Sequence, residues 1–228
     1  MNKSTGNMYD FVDYTWNPVK GRCWYNCAYC YVKRWGTPGE QHLDEKELNA
    51  DLGEGNVIFI CSGIDLFGPF IQDRFIHEVI SRRKQYPGNQ YLWHTKNPRY
   101  AAKKLSPLND VTNDTLCATI ESDFVSRRFS GAPNPAARVE GLRRYPGRRM
   151  ITIEPILDFD LEAFTGMLLA AEPVQINIGA NSGHYRLPEP PSEKIIELIE
   201  TLKPHTVVHL KKNLARIIGQ EAFARYKS

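Results

Sequence analysis

Three of the five cysteines in this 228-residue chain lie close together near the N-terminus. Cys23, Cys27 and Cys30 are separated by three and then two residues, within a loop at 21–31. Thiolates at this spacing can hold three irons of an iron–sulfur cube and leave the fourth iron without a protein ligand. An open iron is a coordination site for a substrate or cofactor. The spacing therefore predicts a [4Fe–4S] cluster on these three cysteines.

A structural zinc site is the first alternative for these thiols. Such a site requires four closed ligands, usually from two separated pairs. The other cysteines, Cys61 and Cys117, are isolated on predicted strands. His205 and His209 have zinc-like spacing, but on a strand they would lie about 13 Å apart at ~3.3 Å per residue. Zinc binding and inert buried thiols remain the two alternatives.

Composition indicates an ordinary globular protein. The hydrophobic fraction is 42% and the net charge is +3, too small to imply a polyanionic partner. The longest apolar runs, such as 57–61, fall short of the ~18 residues of a membrane span. Residues 1–10 are polar and lack the apolar stretch of a signal peptide. We therefore expect a cytoplasmic protein whose thiols stay reduced.

The fold class follows from apolar runs that alternate with amphipathic segments. This βαβα order predicts a parallel sheet with right-handed crossovers. Seven strands are one too few for a complete barrel, so we expect a single α/β domain over 1–228, a partial TIM-like barrel of six or seven βα units. Its C-terminal βα segment covers about 204–228. The predicted strands are 11–16, 57–61, 90–94, 116–121, 150–154, 174–178 and 206–210, and the predicted helices are 27–35, 70–85, 98–105, 134–144, 161–171, 192–202 and 212–226.

Polar residues follow most of the predicted strands. The C-terminal ends of parallel strands in a βα barrel converge on one mouth, so these residues predict a site there. Only some can point inward, because side chains alternate along a strand. The residues in question are Asn17, Ser62, Gly63, Thr95, Lys96, Glu121, Ser122, Glu154, Asn181 and Ser182.

The cysteine motif, with the aromatic Tyr29 directly before Cys30, resembles the signature of the radical SAM superfamily. The resemblance implies that the three cysteines bind a [4Fe–4S] cluster, whose fourth iron is chelated by the amino and carboxylate groups of S-adenosylmethionine (SAM). It also implies that one electron, from an external donor of the flavodoxin or ferredoxin type, cleaves SAM to methionine and a 5′-deoxyadenosyl radical. Tyr29 would shield the cluster and lie near the adenine.

Further segments resemble a narrower, phage-associated family of small radical SAM proteins, whose function is largely unknown. The cysteine loop is compact here, whereas many relatives have longer insertions before the last two cysteines. A weaker similarity connects the chain with the spore photoproduct lyase, which works on DNA. The substrate therefore stays open between a small molecule, a nucleotide, a peptide and DNA or RNA. The segments that carry the family resemblance are 15–19, 62–67, 95–98, 119–121, 153–157, 179–183 and 211–212.

The resemblance assigns the SAM ammonium to acceptors after the second strand, where Ser62 and Asp65 flank Gly63. Gly63 would allow close backbone approach. The alternative is that Asp65 caps the following turn and Ser62 satisfies its own backbone. Lys96 could pair with the methionyl carboxylate, or it could be a surface lysine that opens a helix.

Carboxylates after later strands are candidates for the ribose and for the substrate. Glu121 with Ser122 suits the ribose hydroxyls, although Glu121 could instead pair with Arg127 or Arg128. Glu154 could bind SAM, contact the substrate or pair with a basic residue such as Arg149.

Weaker candidates complete the predicted site. Asn181 could hydrogen-bond adenine or substrate from a glycine-flanked turn, and the alternative is that the glycines simply serve that turn. Cys61 and Cys117 are weak candidates for hydrogen donors to a substrate radical, and buried cysteines are more often small hydrophobes. His94 and His184 could line the mouth. Short basic runs could form a nucleic-acid face, or they could be solvated helix faces; they lie at 82–84, 127–128, 143–144 and 148–149.

Overall fold

A mostly parallel sheet organises the chain, in a computed structural model that describes residues 1–6, 8–108, 110–183 and 185–227. The strands in the described residues are β1 (Asn2–Lys3), β2 (Tyr14–Trp16), β3 (Val19–Lys20), β4 (His42–Leu43), β5 (Val57–Ile60), β6 (Gln90–Thr95), β7 (Asp114–Thr119), β8 (Arg148–Ile153), β9 (Gln175–Ile178) and β10 (Val207–Leu210). Eight of them form the sheet in the order β1-β2-β5-β6-β7-β8-β9-β10, and within this sheet only β1 runs antiparallel to its neighbour. The other two, β3 and β4, form a separate antiparallel ribbon.

Helices connect the parallel strands in the predicted alternation. No helix in the described ranges has both the length and the apolar character needed to cross a bilayer. The helices are α1 (Glu45–Leu48), α2 (Asp73–Lys84), α3 (Pro98–Leu105), α4 (Pro135–Arg143), α5 (Leu161–Ala170), α6 (Ser192–Leu202), α7 (Ala215–Ile218) and α8 (Gln220–Tyr226), with 3-10 turns at Tyr31–Trp35 and Lys212–Leu214.

The predicted fold class, an α/β partial barrel with a parallel sheet, is confirmed. All seven predicted strands are present, whereas two helix predictions fail in part. The helix expected over 27–35 is a 3-10 turn at Tyr31–Trp35, because the cysteine loop turns through Asn26 at φ 46°. The helix expected over 212–226 breaks at Gly219, whose φ of 82° leaves the helical region.

Two faces of the sheet bury two apolar clusters. The larger lies between the sheet and the helices and includes Ile58, Trp93 and Leu116. The smaller comprises Tyr9, Val12, Phe59, Leu92, Cys117 and Met150. Because side chains alternate along a strand, the second cluster fills the barrel interior.

The gap between the first and last strands is spanned by side-chain contacts. His209 on β10 lies 2.9 Å from the Asp10 carboxylate through its Nε2, and its ring packs edge-on against Phe11. Lys211 lies over the ring of Tyr9 at 4.6 Å. His209 therefore joins the N-terminal segment to β10.

The packing of α4 on α3 predicts opposite outcomes for two glycine substitutions. A Cβ added at Gly141 would lie 2.5 Å from the Arg99 backbone nitrogen, whereas one added at Gly166 on α5 meets nothing within 4 Å. We expect Gly141→Ala to cost about 1–3 kcal/mol through overpacking. Gly166→Ala should stabilise by up to about 1 kcal/mol through helix propensity. Urea unfolding of the two variants measures the difference, and equal effects would contradict the packing argument.

Candidate active site

The cysteine loop lies across the mouth of the barrel. The Ala28 amide donates to the Phe129 carbonyl and the Gly131 amide donates to the Tyr25 carbonyl, both at 2.8 Å, which ties the loop to the segment after β7. The Tyr31 hydroxyl donates to the Ser62 carbonyl after β5, and Arg34 donates to the Ser182 carbonyl after β9. The loop is thus held by three different strand ends, as a site at the mouth requires.

The three loop cysteines pack in one small group with Tyr25 and Ala132. All are free thiols; Cys27 is buried, while Cys23 and Cys30 are partly exposed. The Cys27 sulfur lies 3.2 Å from the Ser130 hydroxyl oxygen. Burial, reinforced by the Asp65 charge, raises the pKa of Cys23 to about 11, so a metal bound there must displace its proton.

In the described part of the chain, no group of three His, Cys, Asp or Glu side chains is placed to hold a metal ion. The thiols of Cys23, Cys27 and Cys30 are nevertheless grouped on one loop, and cysteine thiolates are the ligands of iron–sulfur clusters. The cluster itself stays a prediction.

Glu121, at the end of β7, has three partners beneath the cysteine loop. Lys96 Nζ lies 2.7 Å from its Oε1, Arg138 Nη1 lies 2.5 Å from its Oε2, and the Tyr29 hydroxyl also donates to Oε1. The carboxylate is fully buried. It therefore anchors Tyr29, and through it the cysteine loop, to the barrel wall.

The ion-pair alternatives weighed for Glu121 are wrong. Arg127 donates to the Gly131 carbonyl at 3.3 Å, and Arg128 lies over the Phe129 ring. The true partner, Arg138, is on the buried face of α4. The sequence contained one sign of this role: Arg138 lies four residues before Leu142, and therefore on the apolar face of the helix.

The charge state of Glu121 predicts acid sensitivity. Burial alone would raise its pKa, but the charges of Lys96 and Arg138 lower the pKa of Glu121 from 4.5 to about 2. A depressed pKa stabilises the fold above pH ~4.5, and this contribution is lost as the pH falls towards ~2. We expect the unfolding free energy of the wild type to fall more steeply over this window than that of Glu121→Gln. Parallel pH profiles from denaturant titration would contradict this.

Asp65 joins the loops after two neighbouring strands. Its carboxylate accepts from the Thr95 hydroxyl and the Lys96 amide, both at 2.7 Å, and from the Phe67 amide at 3.0 Å. Desolvation raises the pKa of Asp65 in spite of these bonds. The structure therefore shows the alternative role of Asp65, which is to cap the turn through the Phe67 amide. It also shows that Asp65 accepts hydrogen bonds from Thr95 and Lys96 at the end of β6. Any contact with SAM stays a prediction.

Ser62 and Gly63 lie beside an amide that sequence reasoning did not assign. The Ser62 hydroxyl donates to the Asn17 side-chain oxygen at 3.0 Å, and the Gly63 amide donates to the same oxygen at 3.4 Å. A Cβ added at Gly63 would meet nothing within 4 Å. Asn17 therefore orients the backbone at a position with open space beside it, which suits close approach of a ligand.

A second ion pair lies at the ends of β8 and β10. Lys211 Nζ is 2.6 Å from a Glu154 carboxylate oxygen, and the Asn213 amide is 3.3 Å from the other. Arg149, the partner considered for Glu154, instead pairs with Glu172 at 3.0 Å. A Cβ at Gly179 would lie 3.1 Å from both Glu154 and Lys211, so the glycine makes room for the pair. Sequence reasoning noted Lys211 only within a resembling segment.

Ser122 and Asn181 hold loop backbone. The Ser122 hydroxyl donates to the Asp158 carbonyl at 2.6 Å. The Asn181 amide donates to the Tyr185 carbonyl at 2.7 Å, and its oxygen accepts from the Gly183 amide at 2.9 Å. Both side chains order the rim of the mouth in this structure, and their contacts with SAM stay predictions.

Cys61 and Cys117 are almost fully buried, at 3% and 0% exposure. Burial raises the pKa of Cys61 to about 12 and that of Cys117 well above its usual value, so both keep their protons at neutral pH. They are S–H groups without surface access. His94 donates to or accepts from the Thr119 hydroxyl at 2.8 Å, and His184 lies outside the described residues.

No family model and no curated protein matches the chain. Solved structures of spore photoproduct lyase do match its fold. A cysteine-to-serine mutant has a TM-score of 0.66 and 14% identity, and covers 91% of this chain and 79% of its own. A cysteine-to-alanine mutant with dinucleoside spore photoproduct has a TM-score of 0.65, 14% identity and coverage of 92% and 81%. A double mutant with bound AdoMet and the same dinucleoside has a TM-score of 0.63, 13% identity and coverage of 95% and 77%. At this identity the likeness establishes a shared fold.

Proposed function

We propose that the chain is a radical SAM enzyme, which binds a [4Fe–4S] cluster on Cys23, Cys27 and Cys30 and cleaves SAM reductively. The observation that carries the proposal is the grouping of three free thiols, at three- and two-residue spacing, on a loop across the mouth of a partial βα barrel. The shared fold with a lyase solved with AdoMet supports it. The proposal includes an external one-electron donor.

When bound, the cluster would supply a free iron to chelate SAM and one electron to break its carbon–sulfur bond. The residues of the chain position the reactants. Glu121 accepts a hydrogen bond from the hydroxyl of Tyr29, which lies between Cys27 and Cys30 in the chain. This contact fixes the position of the cysteine loop relative to the strands. The Asn17 side-chain oxygen holds the Gly63 amide, and there is open space beside Gly63, where we propose that the SAM ammonium approaches acceptors of this turn.

The other residues proposed for the SAM site fall into two groups, according to the groups that they contact in this structure. Lys96 and Glu154 lie in ion pairs at the mouth, and we propose that they bind the charged ends of SAM by exchanging those partners. Asp65, Ser122 and Asn181 already hold backbone, so we propose that they act with Glu121 in shaping the cofactor site.

A nucleic acid is a second candidate for the substrate, beside a small molecule, nucleotide or peptide. The lyase structures with a similar fold contain a dinucleoside photoproduct. Their identity of 13–14% transfers no substrate by itself. A nucleic-acid substrate of this kind would be a strand that contains a modified or damaged nucleotide.

The test is anaerobic reconstitution with iron and sulfide, followed by dithionite and SAM. We expect brown protein with about four irons and four sulfides per chain, and release of 5′-deoxyadenosine measured by chromatography. A colourless protein that binds one zinc would instead support the non-catalytic metal-binding alternative.

A further inference from the structure

A groove of about 410 Å³ lies against the cysteine loop. This volume falls in the range of ligand sites. Tyr25, which stands between Cys23 and Cys27, forms one wall, and the turn after β7 forms another. The lining residues are Tyr25, Pro69, Asn97, Arg127, Gly131 and Pro133.

Two exposed aromatic rings stand next to this groove. Trp24 and Phe70 directly adjoin the lining residues Tyr25 and Pro69, and their ring centroids are 5.3 Å apart. Trp24 is 46% exposed and Phe70 is 76% exposed. Phe70 has a φ of 65°, a conformation that bulky residues rarely adopt. Two aromatic rings that contact each other and are exposed to solvent indicate an interaction surface.

The charges around the groove are positive. The Arg22 guanidinium lies 4.5 Å from the centroid of the Trp24 ring, and Arg127 lines the groove itself. Residues 14–39 contain four basic side chains and no Asp or Glu. Residues 124–139 contain three arginines and likewise no acid, but Arg138 is buried and paired with Glu121, so the exposed charge of this segment comes from Arg127 and Arg128. Only Lys20 among the first four has an acidic partner, Asp44, in the described residues. The surface therefore combines flat apolar rings with unneutralised guanidinium groups.

We propose that this groove binds a single-stranded nucleic-acid segment. A base stacks on the Trp24 and Phe70 rings, and backbone phosphates contact Arg22 and Arg127, which is the combination that single-strand binding surfaces use. Because Tyr25 belongs to the cysteine loop, a strand held here passes beside the barrel mouth. The groove thus indicates nucleic acid as the substrate class of the proposed radical chemistry, and this inference about the substrate rests on the proposed function.

Fluorescence anisotropy of a labelled single-stranded DNA of mixed sequence, with the reconstituted full chain, tests the groove. Stacking energies predict that Trp24→Ala or Phe70→Ala weakens binding about tenfold, while Trp24→Phe retains most of it. Arg127→Ala should lower the slope of log K against log salt by about 0.7. Val207→Ala is the control. Val207 is an exposed apolar side chain, 61% exposed, at the start of β10 and outside the lining of the groove, so its truncation should leave binding unchanged.

Equal binding by the wild type, Phe70→Ala and Arg127→Ala would overturn the assignment, as would no binding at all. Equal competition by polyglutamate would overturn the stacking role, because it would show a surface selective for charge alone. SAM cleavage without DNA, measured on Phe70→Ala and Arg127→Ala, separates the two proposals. If both variants release 5′-deoxyadenosine normally but the wild type binds no DNA, only the groove proposal fails.

Discussion

Replacing Cys27 with alanine is expected to abolish SAM cleavage and to deplete the protein of iron. Cys27 is the buried member of the three loop thiols and lies 3.2 Å from the Ser130 hydroxyl oxygen, so its replacement removes one of the three proposed cluster ligands. Loss of a direct cluster ligand should exceed the about 10- to 100-fold effects of outer-shell changes at metal sites. Iron and sulfide content, and 5′-deoxyadenosine released under dithionite, measure the result.

Cys117→Ala is the matched control for this prediction. Cys117 is equally a free, buried cysteine, but it packs with Tyr9 and Met150 in the barrel interior, away from the loop. The control should retain its iron and its SAM cleavage. A Cys27→Ala protein with a full complement of iron and sulfide would refute the assignment of the cluster ligands.

Replacing Arg138 with methionine is expected to destabilise the fold by about 3–5 kcal/mol, because it leaves the Glu121 carboxylate buried with one partner fewer. Arg138 is 1% exposed, and it also donates to the Thr119 carbonyl at 2.8 Å and the Pro133 carbonyl at 2.6 Å. Methionine retains much of the side-chain volume, so the loss is mainly electrostatic. Urea unfolding of the cluster-loaded protein measures it.

Arg144→Met, at the end of the same helix, is the control. Arg144 pairs with Glu140 at 2.9 Å on an exposed surface, and such solvent-screened pairs contribute little to stability. The double variant Arg138→Met with Glu121→Gln should recover part of the loss, since it removes the uncompensated carboxylate. Comparable losses of unfolding free energy in Arg138→Met and Arg144→Met would show that the Glu121–Arg138 pair stabilises the fold no more than an exposed pair does.

The cysteine loop links these two predictions. Glu121 contacts Arg138 on one side and Tyr29 on the other, so a change in α4 reaches the loop through a single carboxylate. Arg138→Met should therefore lower cluster occupancy as well as stability, whereas Arg144→Met should affect neither. The iron content of the same two preparations provides that comparison.

The sequence by itself determined the seven parallel strands and the three thiols of the proposed cluster, but it missed the short strands β1, β3 and β4. Strand positions follow from local apolar runs, as at Val57–Ile60, and the parallel direction follows from the repeated βα connection. The cysteines are close in the chain, so their spacing alone indicates a shared ligand. Each of these inferences needs only residues within about one turn or one strand of each other.

Only the tertiary structure decided which charges meet. Glu121 and Arg138 are 17 residues apart, and Glu154 and Lys211 are 57 apart. As alternatives to ligand binding, the sequence suggested nearer arginines, Arg127 or Arg128 for Glu121 and Arg149 for Glu154, because it shows only which residues are neighbours in the chain. The groove beside Trp24 and Phe70 also brings together loops from separate βα units. Such pairs depend on how far each loop folds over the mouth, and local propensity carries no information about that distance.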